Sequence, residues 1–294
     1  MRISMVNTRA SQIGFTLIEI AIVLMIVTIL LGYTVALFPR QQELKQYRDV
    51  ERKMDEVIVA IVGFAQINGR LPCPAIPDSA GIEDFDTIND DGCDNFGGFV
   101  PINTLGLGGR LNADSLLLDP WGNPYRYYVT DSDFDVDGFS DFTAPNGIRT
   151  VNLVDQDSDG FIDLDGQFVI CDQADATLND HCDVPANFIF GDDTVAGPPY
   201  AGAPFVLISH GKNWNEGAAA GDELVNMGAT LTTALGMVNG PTLSPYLLKD
   251  VSGVPPETTF VRRVTGFADD FDDVVIWVSP NILFSKMIEA GQLP

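Results

Sequence analysis

The sequence predicts an α+β protein in which one long amino-terminal helix leads into an antiparallel-sheet head with long acidic loops. Three observations carry that expectation. An apolar run of 24 residues, Phe15 to Phe38, passes through Pro39 into a stretch whose apolar residues recur every three or four positions as far as Asn68-Gly69. From about residue 71 the pattern changes to short apolar or aromatic runs cut by Gly, Pro, Asn and Asp, which is the pattern of short strands joined by loops. Charge divides at the same place: residues 1–70 hold eight basic and six acidic side chains, residues 71–294 eight basic and 35 acidic, a net −27. With 46% hydrophobic and 10% aromatic residues, the 294-residue chain has the material for a core, so this acidity does not signal disorder. A field of that sign repels a phosphate backbone and argues against a nucleic-acid partner.

The first element is the apolar helix. Residues 1–14 are polar and include Arg2 and Arg9. The run that follows is too long for a cleaved secretory signal and lacks a small-residue cleavage site before the charged continuation. As a helix its 24 residues extend about 36 Å, enough for a bilayer core of about 30 Å. Arg2 and Arg9 predict a cytoplasmic amino terminus, a single membrane pass and a translocated head. Glu19 is the anomaly, since a carboxylate five positions into an apolar run is costly in lipid unless a partner meets it.

The string Gly14-Phe15-Thr16-Leu17-Ile18-Glu19, behind a polar leader and ahead of a long apolar helix, strongly resembles the prepilin-type signal of the type IV pilin and type II secretion pseudopilin superfamily. The resemblance implies a pilin-like fold and a leader, residues 1–14, cut after Gly14 by a prepilin peptidase. It also implies methylation of the new terminus at Phe15 and polymerisation of the helices into a filament core. In that picture Glu19 meets the amino group of a neighbouring subunit's Phe15, which explains a charge in this position. The implied setting is the bacterial inner membrane with the head in the periplasm. The implied partners are other pilin or pseudopilin subunits, the peptidase and an inner-membrane assembly platform.

Next comes an amphipathic stalk, residues 39–69. Leu44, Tyr47, Met54, Val57, Ile58, Ile61, Val62 and Phe64 form its apolar stripe, with Arg48, Glu51, Arg52 and Glu56 between them. Pro39 predicts a kink or local unwinding, because its ring removes a helical hydrogen bond. Asn68-Gly69 predicts the helix end. The exit that follows, Arg70-Leu71-Pro72, again resembles pseudopilins. In the head, residues 70–294, the strand candidates are Tyr125–Thr130, Phe168–Cys171, Phe205–Ser209 and Val274–Ser279. The segment from Asp119-Pro120-Trp121-Gly122 to Tyr127 resembles the turn and strand that open the sheet of major pseudopilins. Residues 131–200 read as an insertion.

Four cysteines in a translocated head suit two disulfides. Three pairings are open, and the short local loops favour Cys73 with Cys93 and Cys171 with Cys182. A zinc site with His181 is disfavoured by the lack of any C-x-x-C pair. The insertion is dense in acid, with 16 Asp and a single basic residue, Arg149, between Asp131 and Asp193. Such carboxylates repel one another unless a hard cation joins them. Asp155, Asp157, Asp159 and Gly160, with Asp163 and Asp165, match the start of a calcium loop, and Asp133, Asp135, Asp137 and Gly138 form a second, weaker match. Both lack the bidentate Glu of a full EF-hand, because Ala144 and Gly166 occupy its place. Resemblance to major pseudopilins, which bind calcium before their last strand, adds Asp222, Glu223, Asp269, Asp270, Asp272 and Asp273 as weaker candidates.

Enzyme signatures are sparse. Ser209 and His210 are sequence neighbours on a strand and so point to opposite faces, unsuited to act as nucleophile and base together. His210 reads as a turn residue. No phosphate-cradling Gly-Lys-Ser/Thr string and no H-E-x-x-H motif occurs. The function expected is non-enzymatic: a minor subunit of a type II secretion pseudopilus or type IV pilus. The alternative is a membrane-anchored periplasmic calcium-dependent binding or adhesion domain that never polymerises.

Overall fold

The structure is a computed structural model that describes residues 16–87, 92–133, 140–150, 166–172, 188–190, 202–212, 222–227, 259–263 and 271–293, without the side chains of 33–40, 150, 188, 223 and 224. It is α+β and divides into two compact units, Met1–Arg48 and Asp49–Pro294. Helix α1, Leu17–Asn68, is 52 residues long and contributes to both. It continues through Pro39 without the local unwinding that was one of the two expectations there. Among the described residues no helix is long and apolar enough to cross a membrane.

In the second unit, α1 buries a stripe made of Val50, Met54, Val57, Ile61 and Ala65, at the three- and four-residue spacing that keeps one helix face inward. Each large aliphatic member, fully buried, contributes about 1.5–3 kcal/mol. Leu44, expected in the stripe, is exposed instead. The helix stops where Gly69 takes a φ of 70°, which a side chain would strain, and its N–H caps the Ala65 carbonyl. Beyond it Arg70 grips both carboxylate oxygens of Glu83 at 2.8 and 2.9 Å and lies over the rings of Phe64 and Phe85. Glu83 also accepts the Cys73 N–H. The helix exit is thus tied to the segment enclosed by the Cys73–Cys93 disulfide.

Two sheets form the head. The first is antiparallel, in the order β1–β2–β5–β7, from Gly97–Phe99, Arg126–Val129, Phe205–Ser209 and Val274–Trp277. Gly98 lies so near the preceding segment that a Cβ would stand 2.5 Å from the Ala75 carbonyl oxygen, which accounts for a glycine in β1. The second sheet is β4–β3–β6, from Phe188–Phe190, Val169–Cys171 and Thr259–Val261. Its β3–β6 pair is parallel, a departure from the wholly antiparallel head expected. The insertion supplies β3 and β4, and its Phe168 to Cys171 segment is buried in the core. Tyr128, Val206, Ile208 and Val275 of the first sheet pack on Ile170, Phe260 and the adjoining Phe168. The Tyr128–Phe260 and Phe168–Phe260 rings are 5.2 and 5.4 Å apart, within the usual range for aromatic pairs.

Three short or late helices complete the described chain: α2, Gly147–Thr150, α3, Asp222–Met227, and α4, Pro280–Glu289. The strand expected over Val274–Ser279 ends at Trp277, and Ser279 becomes the extended N-cap of α4 with Pro280 in its first turn. Leu283, Phe284 and Met287 are the buried side of α4. Gln66 of α1 donates to the Lys286 carbonyl of α4 at 2.8 Å, joining the two helices within the second unit.

Candidate functional site

Thr16 and Glu19 begin α1 as a reciprocal cap. The Thr16 backbone N–H and hydroxyl both donate to Glu19 Oε2 at 2.9 Å, while the Thr16 hydroxyl accepts the Glu19 N–H at 3.4 Å. This is the capping-box arrangement, in which a hydroxyl and a carboxylate three residues apart satisfy the donors that every helix start leaves over. The anomalous charge in the apolar run thus has a local role that the sequence reading missed. Its signal was present as Thr-x-x-Glu ahead of an apolar run. Gly14 and Phe15, the expected processing site, lie just outside the described residues.

Past the cap, apolar side chains cover every face of the helix. Leu17, Ile18, Ile20, Ile22 to Val27 and Ile29 to Leu31 are all between 42% and 89% exposed. A helix that is apolar all round buries itself in a larger assembly or in lipid. Thr28 adds no polar face, since its hydroxyl turns back on the Met25 carbonyl at 2.8 Å. In geometry and chemistry this segment is an exposed apolar rod with one carboxylate near its start.

The head carries a second concentration of chemistry, at the ends of β5 and β7. Asp119 receives the backbone N–H groups of Trp121, Gly122 and Asn123 on Oδ1 and the Ser209 hydroxyl on Oδ2 at 2.8 Å. Burial pushes its carboxyl above the ordinary value of 3.8, and those four hydrogen bonds oppose the rise. This explains the Asp-Pro-Trp-Gly-Asn turn: the carboxylate organises the chain that feeds β2. His210, read as a turn residue, is buried directly before the Gly211–Lys212 turn, with Nδ1 3.3 Å from Asp273 Oδ1. Ser209 and His210 thus face different carboxylates, as their adjacency on a strand implies. Asp273 also accepts from Asn226, whose amide bonds both backbone groups of Val261. One buried amide therefore ties β7 to β6.

Of the weaker calcium candidates, Asp222 pairs with Arg263 at 2.7 Å, Asp272 accepts the Lys212 N–H at 2.6 Å, and Asp273 is held as above. The side chain of Glu223 and residues Asp269 and Asp270 lie outside the description. So do Asp155, Asp157, Asp159, Asp163, Asp165, Asp135 and Asp137, while Asp133 is described and half-buried. Among the described residues no group of three or more His, Cys, Asp or Glu is arranged to hold a metal ion. The pair Cys73–Cys93 is joined, with its Cα atoms 5.3 Å apart. Cys171, buried in β3, is disulfide-bonded as well, and Cys182 lies outside the described residues. Comparison of the chain with protein-family models, with curated proteins and with solved structures finds no match in any of the three.

Proposed function

We propose that the chain is a minor pilin-like subunit of a type II secretion pseudopilus or type IV pilus. It is anchored in a bacterial inner membrane by residues 15–38 and assembled through that helix. One observation carries the reading: an apolar helix surface left exposed on all sides, beginning at a Thr16–Glu19 cap two residues after the Gly14-Phe15 junction. Lipid covers such a surface before assembly and neighbouring copies cover it afterwards. Both environments reward an unbroken helix, because every backbone polar group is then satisfied internally. The ordered head, stapled by Cys73–Cys93, suits an oxidising compartment outside the cytoplasm.

Mass spectrometry of the mature amino terminus tests the processing step, with loss of residues 1–14 and one added methyl on Phe15 expected. An intact Met1 in cells with an active prepilin peptidase would contradict it. A Glu19→Ala variant tests assembly: it should remain in the membrane, keep a folded head and be lost from sheared filaments. A variant that functions fully without entering a filament would instead identify an anchored, non-polymerising binding domain. Calcium at Asp155, Asp157, Asp159 and Asp163 belongs to the same reading as a brace for the head. Saturation at a hundredfold excess over Kd would add about 2.7 kcal/mol. Equal melting temperatures in chelator and in calcium would leave that loop as solvated surface.

A further inference from the structure

Charge in this chain is segregated. Residues 71–294 carry a net −27, and copies packed side by side through their helices set these heads against one another. Along α1 the cations of the second unit are held by their own chain: Arg52 by Asp49 at 2.8 Å, Lys53 by Glu56 at 2.9 Å and Arg70 by Glu83 at 2.8 Å. Lys45 and Arg48, in the last turn of the first unit, are different. Both are exposed, and three residues apart they share one helix face. Among the described residues neither meets a carboxylate, and Arg48 reaches only the Leu44 carbonyl of its own helix, at 3.3 Å. Glu43, the nearest acid before them, is turned to the other side, because two residues rotate a helix by about 200°. Asp49, the nearest after them, is taken by Arg52.

The head offers the complementary surface in the loop closed by Cys73–Cys93, which holds six acids and no base. Glu83 is spent on Arg70, and Asp84 accepts from Asn95 at 2.7 Å. Asp78 is exposed and meets no cation among the described residues. The disulfide fixes both ends of this loop, so its charge is presented on an ordered part of the head.

We propose that Lys45 and Arg48 dock the acidic Cys73–Cys93 loop of a second copy of this chain. The inference rests on the filament reading above and specifies one contact within it. Charge complementarity chooses the occupant, and distance favours it over lipid. Lys45 and Arg48 lie seven and ten residues past Phe38, about 10 and 15 Å along the helix, beyond a headgroup layer of about 5–8 Å. Each exposed ion pair is weak by itself, yet it recurs at every subunit and offsets a repulsion between heads that packed apolar helices otherwise meet unopposed.

The test compares sheared filaments from cells carrying wild type, Lys45→Gln with Arg48→Gln, Asp78→Asn with Asp84→Asn, and all four changes together. Each pair should lower filament yield several-fold, with membrane content and head unfolding as in wild type. All four should lose little more than one pair does, because both pairs remove the same contact. Additive losses overturn the proposal, and so does a loss confined to the helix pair, which assigns the cations to lipid or to another component. Undiminished yield from both pairs overturns this inference alone, whereas wild type absent from filaments overturns the filament reading with it. Carbodiimide, which couples an amine to a carboxylate in contact with it, reads the contact directly. It should link Lys45 to a peptide from residues 73–93 in wild-type filaments and not in subunits dissociated in detergent. No such link, or one that persists after dissociation, overturns the proposal even where a variant head is destabilised.

Discussion

In the first half of α1, residues 17–31, Leu, Ile, Val and Met occupy nearly every position and all stay exposed. In the second half, residues 49–68, similar residues recur every three or four positions, and Val50, Met54, Val57, Ile61 and Ala65 are buried. The difference lies in where the covering surface comes from. A stripe can be covered by the chain's own head, because one face in and one face out is what a folded domain offers a helix. A helix apolar on all faces has no polar side to leave in water, and under the proposed function lipid or another subunit covers it. Glu19 fits the same contrast: it is the one acid of the apolar half, and it serves the helix start rather than a polar face.

The sharpest way to break this comparison is to shorten one side chain in each half. Ile61→Ala should cost the head about 2–5 kcal/mol, the range for deleting a well-packed aliphatic group. Ile22→Ala should leave head unfolding unchanged and register only in filament yield. Denaturant unfolding of the full chain in detergent measures the first, and shearing assays the second. Equal losses of head stability from both would mean that the apolar half is covered from within the chain.

A smaller effect should follow from opening the disulfide beside the helix exit. Cys73→Ser is expected to cost about 2–4 kcal/mol by releasing the unfolded chain. The loss should appear in head stability and not in membrane retention of the apolar half. Unchanged unfolding in the variant would show that the Arg70–Glu83 pair alone holds the exit.

The least effect comes from Asp119, and it has a definite sign. Burial raises its folded carboxyl above 3.8, so the folded state binds this proton more tightly than the unfolded chain does. Its contribution to stability is therefore fullest below 3.8 and is lost as pH rises through the raised folded value. Comparing the pH dependence of unfolding in wild type and Asp119→Asn isolates that slope. A difference that is flat or rises with pH in this window would show that the four hydrogen bonds outweigh burial.

Much of the fold was legible because it rests on local signals. Strands expected over 125–130, 168–171 and 205–209 appear as Arg126–Val129, Val169–Cys171 and Phe205–Ser209, since apolar runs bounded by Gly, Pro and Asn have few other ways to order. The candidate site was legible in part. Glu19 was singled out for its cost in lipid, yet its bond to Thr16 went unread. Helix α4 was also missed, although Ser279-Pro280 followed by Leu283, Phe284 and Met287 is a start signal with an apolar face.

By itself the sequence determined the long helix, its stop at Asn68-Gly69, the apolar character of its first half and the acidity of the head. These follow from periodicity, turn chemistry and composition, which act over a few residues or over none in particular. Tertiary structure alone decided that β3 runs parallel to β6, that Leu44 falls outside the buried stripe, and that Ser209 and His210 engage Asp119 and Asp273. Strand partners and buried polar pairs join residues tens of positions apart, and which of them meet depends on how the whole core closes, information that no local window of sequence contains.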